Sequence, residues 1–152
     1  MTIKKIAIAS DHAAFTEKAA LISFLEKHGY SIIDCGTDSV ESCHYPNYVF
    51  KAIDALKTKK AEFSILLCGT GIGVSMVANK FKNIRAGLCR SVDEAKLTRQ
   101  HNDANVLCLG ARINSMDELI NISKSFLSEN FEGGRHQKRL DLFDDLGELN
   151  VP

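Results

Sequence analysis

Along the chain, short apolar runs alternate with longer stretches in which apolar residues return every three or four positions. The runs are Lys5 to Ser10, Ser31 to Asp34, Phe63 to Leu67, Ile84 to Cys89 and Val106 to Leu109. Each has the length of a strand, and each gap is long enough for a crossover helix. The pattern predicts an α/β fold on a parallel sheet of five strands.

Between the runs, Phe15, Ala19, Ile22 and Leu25 recur at helical spacing, and Gly29 closes that segment as a C-cap glycine does. Pro46 to Lys57 reads as a second helix with proline in its first turn. A helix carrying Val77, Ala78 and Phe81 follows the third run. Ser91 with Glu94, and Ser115 with Glu118, have capping-box spacing, so helices begin there. Leu119, Ile120, Ile122, Phe126 and Leu127 give the latter a broad apolar face. Arg135 to Leu149, after Gly133-Gly134, reads as a charged amphipathic helix with Leu140, Phe143 and Leu146 on one side. With no internal repeat, low-complexity tract or linker, the 152 residues are expected to form one domain, 1–152.

Charge narrows the partners. Acidic and basic residues balance at 19 each, so no nucleic acid and no membrane surface is expected. The cysteines at 35, 43, 68, 89 and 108 are odd in number and lack C-x-x-C spacing. That argues against a disulfide framework or a metal site and favours a reducing compartment. The first apolar run stops at Ser10-Asp11-His12, too soon for a signal-peptide core or a membrane span, so a cytoplasmic protein is expected.

Parallel sheets of this kind bind ligands beyond the carboxyl ends of their strands. Three polar segments are expected there and in one cleft: Asp11-His12, Cys68 to Ser75, and His101-Asn102 at the end of the helix after strand four. In Cys68-Gly69-Thr70-Gly71-Ile72-Gly73, three glycines in five positions let the backbone approach a ligand and turn its N–H groups inward. Glycine-rich turns also occur for packing alone. A dinucleotide fingerprint would follow the first strand, and a phosphate-loop lysine would directly follow the last glycine; here the loop follows strand three and the lysine is Lys80.

Cys68 stands where nearby amide dipoles would raise its thiolate fraction, which suits a nucleophile or base; its alternative is a small buried hydrophobe, as Cys35, Cys89 and Cys108 are read. Arg135 and Arg139 are spaced i and i+4, as a clamp on one anion or as a solvated basic turn.

Together the segments Ala9 to Ala13, Tyr45-Pro46, Cys68 to Gly73, Ala78-Asn79-Lys80, Ile84-Arg85, Arg99 to Val106, Gly110-Ala111-Arg112 and Phe131 to His136 resemble the family of ribose-5-phosphate isomerase B and galactose-6-phosphate isomerase, in the same order. The resemblance implies a Rossmann-like three-layer α/β/α sandwich. It implies a homodimer or dimer of dimers with active sites at the subunit interface, the last helix packing on the partner. It further implies an aldose-ketose isomerisation through a cis-enediolate, with no cofactor. No metal is expected, because no cluster of His, Asp and Cys has ligand spacing along the chain. Cys68 would be the base between C2 and C1, and His101, helped by Thr70, would open the sugar ring. Asp11 would orient hydroxyls, while Tyr45 and Asn102 would line the site. His12, Arg112, Arg135 and Arg139 would bind the phosphate, some of them from the second subunit. The amides from Gly69 through Gly71 and Gly73 to Ser75 would hold the enediolate oxygen. One branch of the family has glycine at the Cys68 position and a glutamate base at that of Val74, so this chain resembles the cysteine branch.

The Arg99 to Val106 and Glu132 to Arg139 segments look more like the ribose enzymes, which puts ribose 5-phosphate ahead of galactose 6-phosphate and allose 6-phosphate. A noncatalytic phosphate- or nucleotide-binding module would need the glycine loop but not Cys68, His101 and Asp11 together.

Overall fold

The computed structural model describes residues 4–144 and Leu146. Five strands form one parallel sheet: β1 (Lys5–Ser10), β2 (Ser31–Asp34), β3 (Phe63–Cys68), β4 (Ala86–Leu88) and β5 (Val106–Gly110), in the order β2-β1-β3-β5-β4. The helices are α1 (Phe15–Lys27), α2 (Tyr45–Lys57), α3 (Ile72–Ala78), α4 (Val92–Asn102), α5 (Met116–Ser128) and α6 (Arg135–Leu140), with a 3₁₀ turn at His12–Ala14.

The side-chain period of two divides the core into two layers. Ile6, Ile8, Ile65, Leu67, Leu107 and Leu109 face Leu21 and Leu25 of α1, Ala95 of α4 and Leu119, Ile122 and Phe126 of α5. Ala7, Ala9, Leu66, Cys68, Val106 and Cys108 face Val49, Ala52 and Ile53 of α2 and Val74 and Ala78 of α3. The sandwich is therefore three-layered, as expected. Crossovers that step towards β2 carry helices on the first face, and those that step towards β4 carry them on the second, which keeps every connection of one hand. The strand order reverses between β1 and β3, so a crevice opens beyond their carboxyl ends, where Asp11 and Cys68 stand.

Three elements end differently from the sequence reading. The helix after strand three stops at Ala78, short of Phe81, where Lys80 N and Phe81 N bond Val77 O and Ala78 O in a turn. Strand four is only Ala86–Leu88, because side chains take the donors before it: Asn105 Oδ1 accepts from Arg85 N at 2.9 Å and Asn79 Oδ1 from Ala86 N at 2.9 Å. The last helix stops at Leu140 instead of running to Leu149. Leu140 is buried, and the chain then turns so that Asp144 Oδ1 meets Arg85 Nη1 at 3.2 Å. Residue 145 and residues 147–149 of that predicted helix lie outside the described residues. Among the described residues, no helix is long and apolar enough to cross a membrane.

Candidate active site

Cys68 is the last residue of the central strand and is 6% exposed. Its Sγ accepts a hydrogen bond from Gly71 N at 3.1 Å. The loop can curl back in this way because Gly71 has φ +76°, and a Cβ there would lie 2.6 Å from Leu88 Cδ1 and 2.9 Å from the Leu109 carbonyl carbon. Two backbone bonds tie the loop to the end of β5: Ala111 N donates to Cys68 O, and Arg112 N to Gly69 O, each at 2.9 Å.

The remaining groups on this side pack over the same loop. The Arg112 side chain lies over Gly69 and the Tyr45 ring over Gly73, where a Cβ would come within 3.3 Å of Arg112 Cδ and 2.7 Å of Tyr45 Cζ. Beside them, buried Asp11 accepts from Ala13 N at 3.0 Å through Oδ1, which holds the carboxylate at the end of β1. His12 Nδ1 accepts from Cys43 N at 3.2 Å; in the neutral ring the proton is then on Nε2, a donor available to an anion.

The expected anion hole is narrower than the sequence reading had it. The Gly71 amide is committed to Cys68 Sγ, the Ile72 amide to Thr70 Oγ1 at 3.2 Å and the Ser75 amide to Gly71 O at 3.2 Å. Ser75 Oγ itself donates to Ile72 O at 2.7 Å. The amides of Gly69, Thr70, Gly73 and Val74 take no part in these bonds.

The cysteines separate by environment. Burial pushes the Cys89 thiol up to about 12, raises Cys108 well above the usual thiol range, and raises Cys35 with help from the Asp34 charge. All three fit the reading as small apolar residues.

His101 and Asn102 are not in this crevice of their own chain, contrary to the expected single cleft. A helix that follows a strand runs back towards the amino ends of the sheet, and His101-Asn102 is the last turn of α4. There Arg99 Nη1 binds Asp103 Oδ1 at 2.8 Å and Ala104 O at 2.7 Å, and Arg85 Nη2 binds Asp103 Oδ2 at 3.0 Å, pinning that terminus beside the start of β4. Cys68 lies at the other end of strands some 15–20 Å long.

A second polar group gathers around His101. Glu132 N donates to Gln100 O at 3.0 Å, which brings the 131–134 loop and α6 onto α4. The His136 ring stacks on that of His101 with centroids 4.2 Å apart and 11° between planes. Glu132 Oε2 is 3.7 Å from His136 Nε2 and 4.0 Å from His101 Nε2. Desolvation first, then the charges of His101, Arg135 and Arg139, hold His136 below the usual imidazole range. Arg135 and Arg139 both project from α6 into solvent.

Glu132 and His136 had no role in the sequence reading, although their i, i+4 spacing next to the two arginines was a signal. Spacing along the chain did not show this group, because its donors come together from separate segments.

Fold and site thus define a parallel α/β protein with a glycine-cradled thiol at the sheet's switch point and a histidine-arginine group at its far end. A model of the Ribose/Galactose Isomerase family matches residues 6–143, and the chain belongs to that family and is an isomerase. It is 41% identical over 139 residues to ribose-5-phosphate isomerase B of Escherichia coli, covering 91% of this chain and 93% of that one. Its structure is similar to that of Clostridium thermocellum ribose-5-phosphate isomerase B, with TM-score 0.93, 40% identity and 95% and 97% of the two chains covered. The enzyme of that name from Mycoplasma genitalium, solved with bound ribulose-5-phosphate, gives TM-score 0.91 at 39% identity, covering 97% and 99%.

Proposed function

We propose that this chain interconverts ribose 5-phosphate and ribulose 5-phosphate, in an assembly where two copies share each active site. The observation that carries the reading is the bond from Gly71 N to the Sγ of Cys68, which fixes a thiol at the mouth of the switch-point crevice.

In this reading Cys68 takes the proton from C2 of the open aldose. The electrons left behind form the C1–C2 double bond of the enediolate, a proton passes from O2 to O1, and the thiol returns its proton to C1 as the ketone forms at C2. The amides of Gly69, Thr70, Gly73 and Val74 oppose the negative oxygen where it develops. Asp11 and Tyr45 hold hydroxyls, and His12 and Arg112 meet the phosphate. His101, with Thr70, supplies the ring oxygen with a proton as the C1–O bond breaks. Since His101, Asn102, Arg135 and Arg139 lie at the far end of their own sheet, they serve the crevice of a second copy. A homodimer is the smallest closed assembly that pairs the two ends. We place the reaction in the cytoplasm, in keeping with five unpaired cysteines.

The test is turnover of ribose 5-phosphate by the purified chain without added metal, with allose 6-phosphate and galactose 6-phosphate in parallel. Preference for the ribose substrate is expected. Turnover of a six-carbon substrate alone would overturn the substrate, and turnover of none would overturn the single-chain reading.

A further inference from the structure

His101, Glu132 and His136 make a group that the reaction above does not use as a unit. One ligand atom from each, two imidazole nitrogens and a carboxylate oxygen, lie within 4.8 Å of one another. They come from α4, the 131–134 loop and α6, and the Glu132 N to Gln100 O bond holds the loop to the helix. The Glu132 carboxylate stands at 3.7 and 4.0 Å from the two Nε2 atoms, too far for a hydrogen bond to either. His136 is 5% exposed, and its Nε2 has no hydrogen-bond partner among the described residues. A buried ring nitrogen left unpaired is costly, and such groups persist where something else satisfies them.

We propose that these three side chains bind a divalent transition-metal ion, zinc foremost, and that the bound ion reversibly inhibits the enzyme by occupying His101. Two imidazoles and a carboxylate are a donor set that suits zinc and leaves a fourth position for water. Metal-ligand distances of about 2.0–2.2 Å place tetrahedral donors roughly 3.3 Å apart. The group therefore has to contract by about 0.5–1.5 Å around the ion, and the His101 ring, stacked on His136 at 11° between planes, has to turn so that both nitrogen lone pairs meet on it. The two members that must move are the freer ones: the His101 side chain is 37% exposed and that of Glu132 is 52% exposed, against buried His136. Arg135 and Arg139 on the same short helix oppose a cation, which makes the site a reversible one of micromolar strength, not a permanent structural centre.

The inhibitory half rests on the reading of His101 as the ring-opening group; the binding half does not. A nitrogen whose lone pair is on zinc has none to offer a proton.

The experiment titrates zinc chloride into the purified full-length chain by calorimetry, with turnover of ribose 5-phosphate followed on the same samples. One zinc per chain at micromolar concentration is expected. Glu132→Gln, at an exposed position, and His136→Asn should each weaken it about ten-fold or more. Turnover should fall as the site fills and return on chelation. No binding overturns the site, and so does the same affinity in Glu132→Gln, which assigns the zinc to other groups such as the thiols. Zinc bound with turnover intact overturns the inhibition. A chain that turns over no phosphosugar contradicts the proposed function, while the isotherms still decide the metal site.

Discussion

Cys68 and His101 stand at opposite ends of the same parallel sheet, one at the carboxyl end of β3 and the other in the last turn of α4 beside the amino end of β4. That separation follows from topology. A crossover helix must return to the end from which the next strand starts, so no local adjustment brings the pair together within a chain. If both residues act on one substrate, two chains must meet, and this gives the predictions below their form.

Replacing the proposed base by an oxygen nucleophile of higher pKa should remove proton abstraction. Cys68→Ser is expected to lose about 10²–10⁴ in kcat while keeping its thermal midpoint. Thiol alkylation tests the same point, because Cys35, Cys89 and Cys108 are buried thiols held neutral. Inactivation by iodoacetamide should follow labelling of Cys68 in peptide mapping. Inactivation that follows labelling of Cys43 instead would contradict the assignment.

Gly71 combines a left-handed backbone with no room for a methyl group. Gly71→Ala should cost about 1–3 kcal/mol in stability from strain and overpacking together. It should also release Cys68 from the amide that holds it, so that kcat falls further than stability alone explains. Urea unfolding and steady-state kinetics on the same preparation separate the two effects.

A phosphate clamp is tested through binding. Arg135→Ala and Arg139→Ala, both at exposed positions, should each raise KM for the sugar phosphate about ten-fold or more, in line with about 1.5–3 kcal/mol for a charged hydrogen bond, and leave the melting temperature unchanged. An unchanged KM in both would make them a solvated basic turn.

His136 is held below the usual imidazole range by desolvation first and by neighbouring positive charge next. The folded state thus disfavours the protonated ring, while the unfolded chain takes the proton near the ordinary value. The unfolded state binds more protons in that window, so stability should fall as pH drops from about 7 towards 5. His136→Asn should flatten that part of the curve, measured as the urea midpoint against pH.

Much of the fold was legible because strands and helices were each announced by their own period, and because Ser115 with Glu118 closes the full capping box that their spacing predicts. Strand four was overread because Asn79 and Asn105 take its donors through contacts distant in sequence. The helix from Arg135 was overread because Leu140 is pinned in the core while Phe143 remains 41% exposed, so amphipathic spacing continued past the helix itself. The crevice half of the site was legible too, since Asp11 and Cys68 end the two strands at the switch point. What spacing along a chain cannot convey is which end of the sheet a helix terminus reaches. His101 was therefore assigned to the wrong end of its own chain, and the convergence of Glu132 and His136 upon it went unseen.

The shared site is tested most directly by mixing two inactive variants. Cys68→Ser and His101→Asn chains, co-expressed and purified together, should regain about a quarter of wild-type activity, because half of the randomly paired dimers then contain one site with both native residues. Each variant expressed alone should remain inactive. A mixture no more active than its parents would contradict a site built from two chains, and would leave Cys68 and His101 without a common substrate.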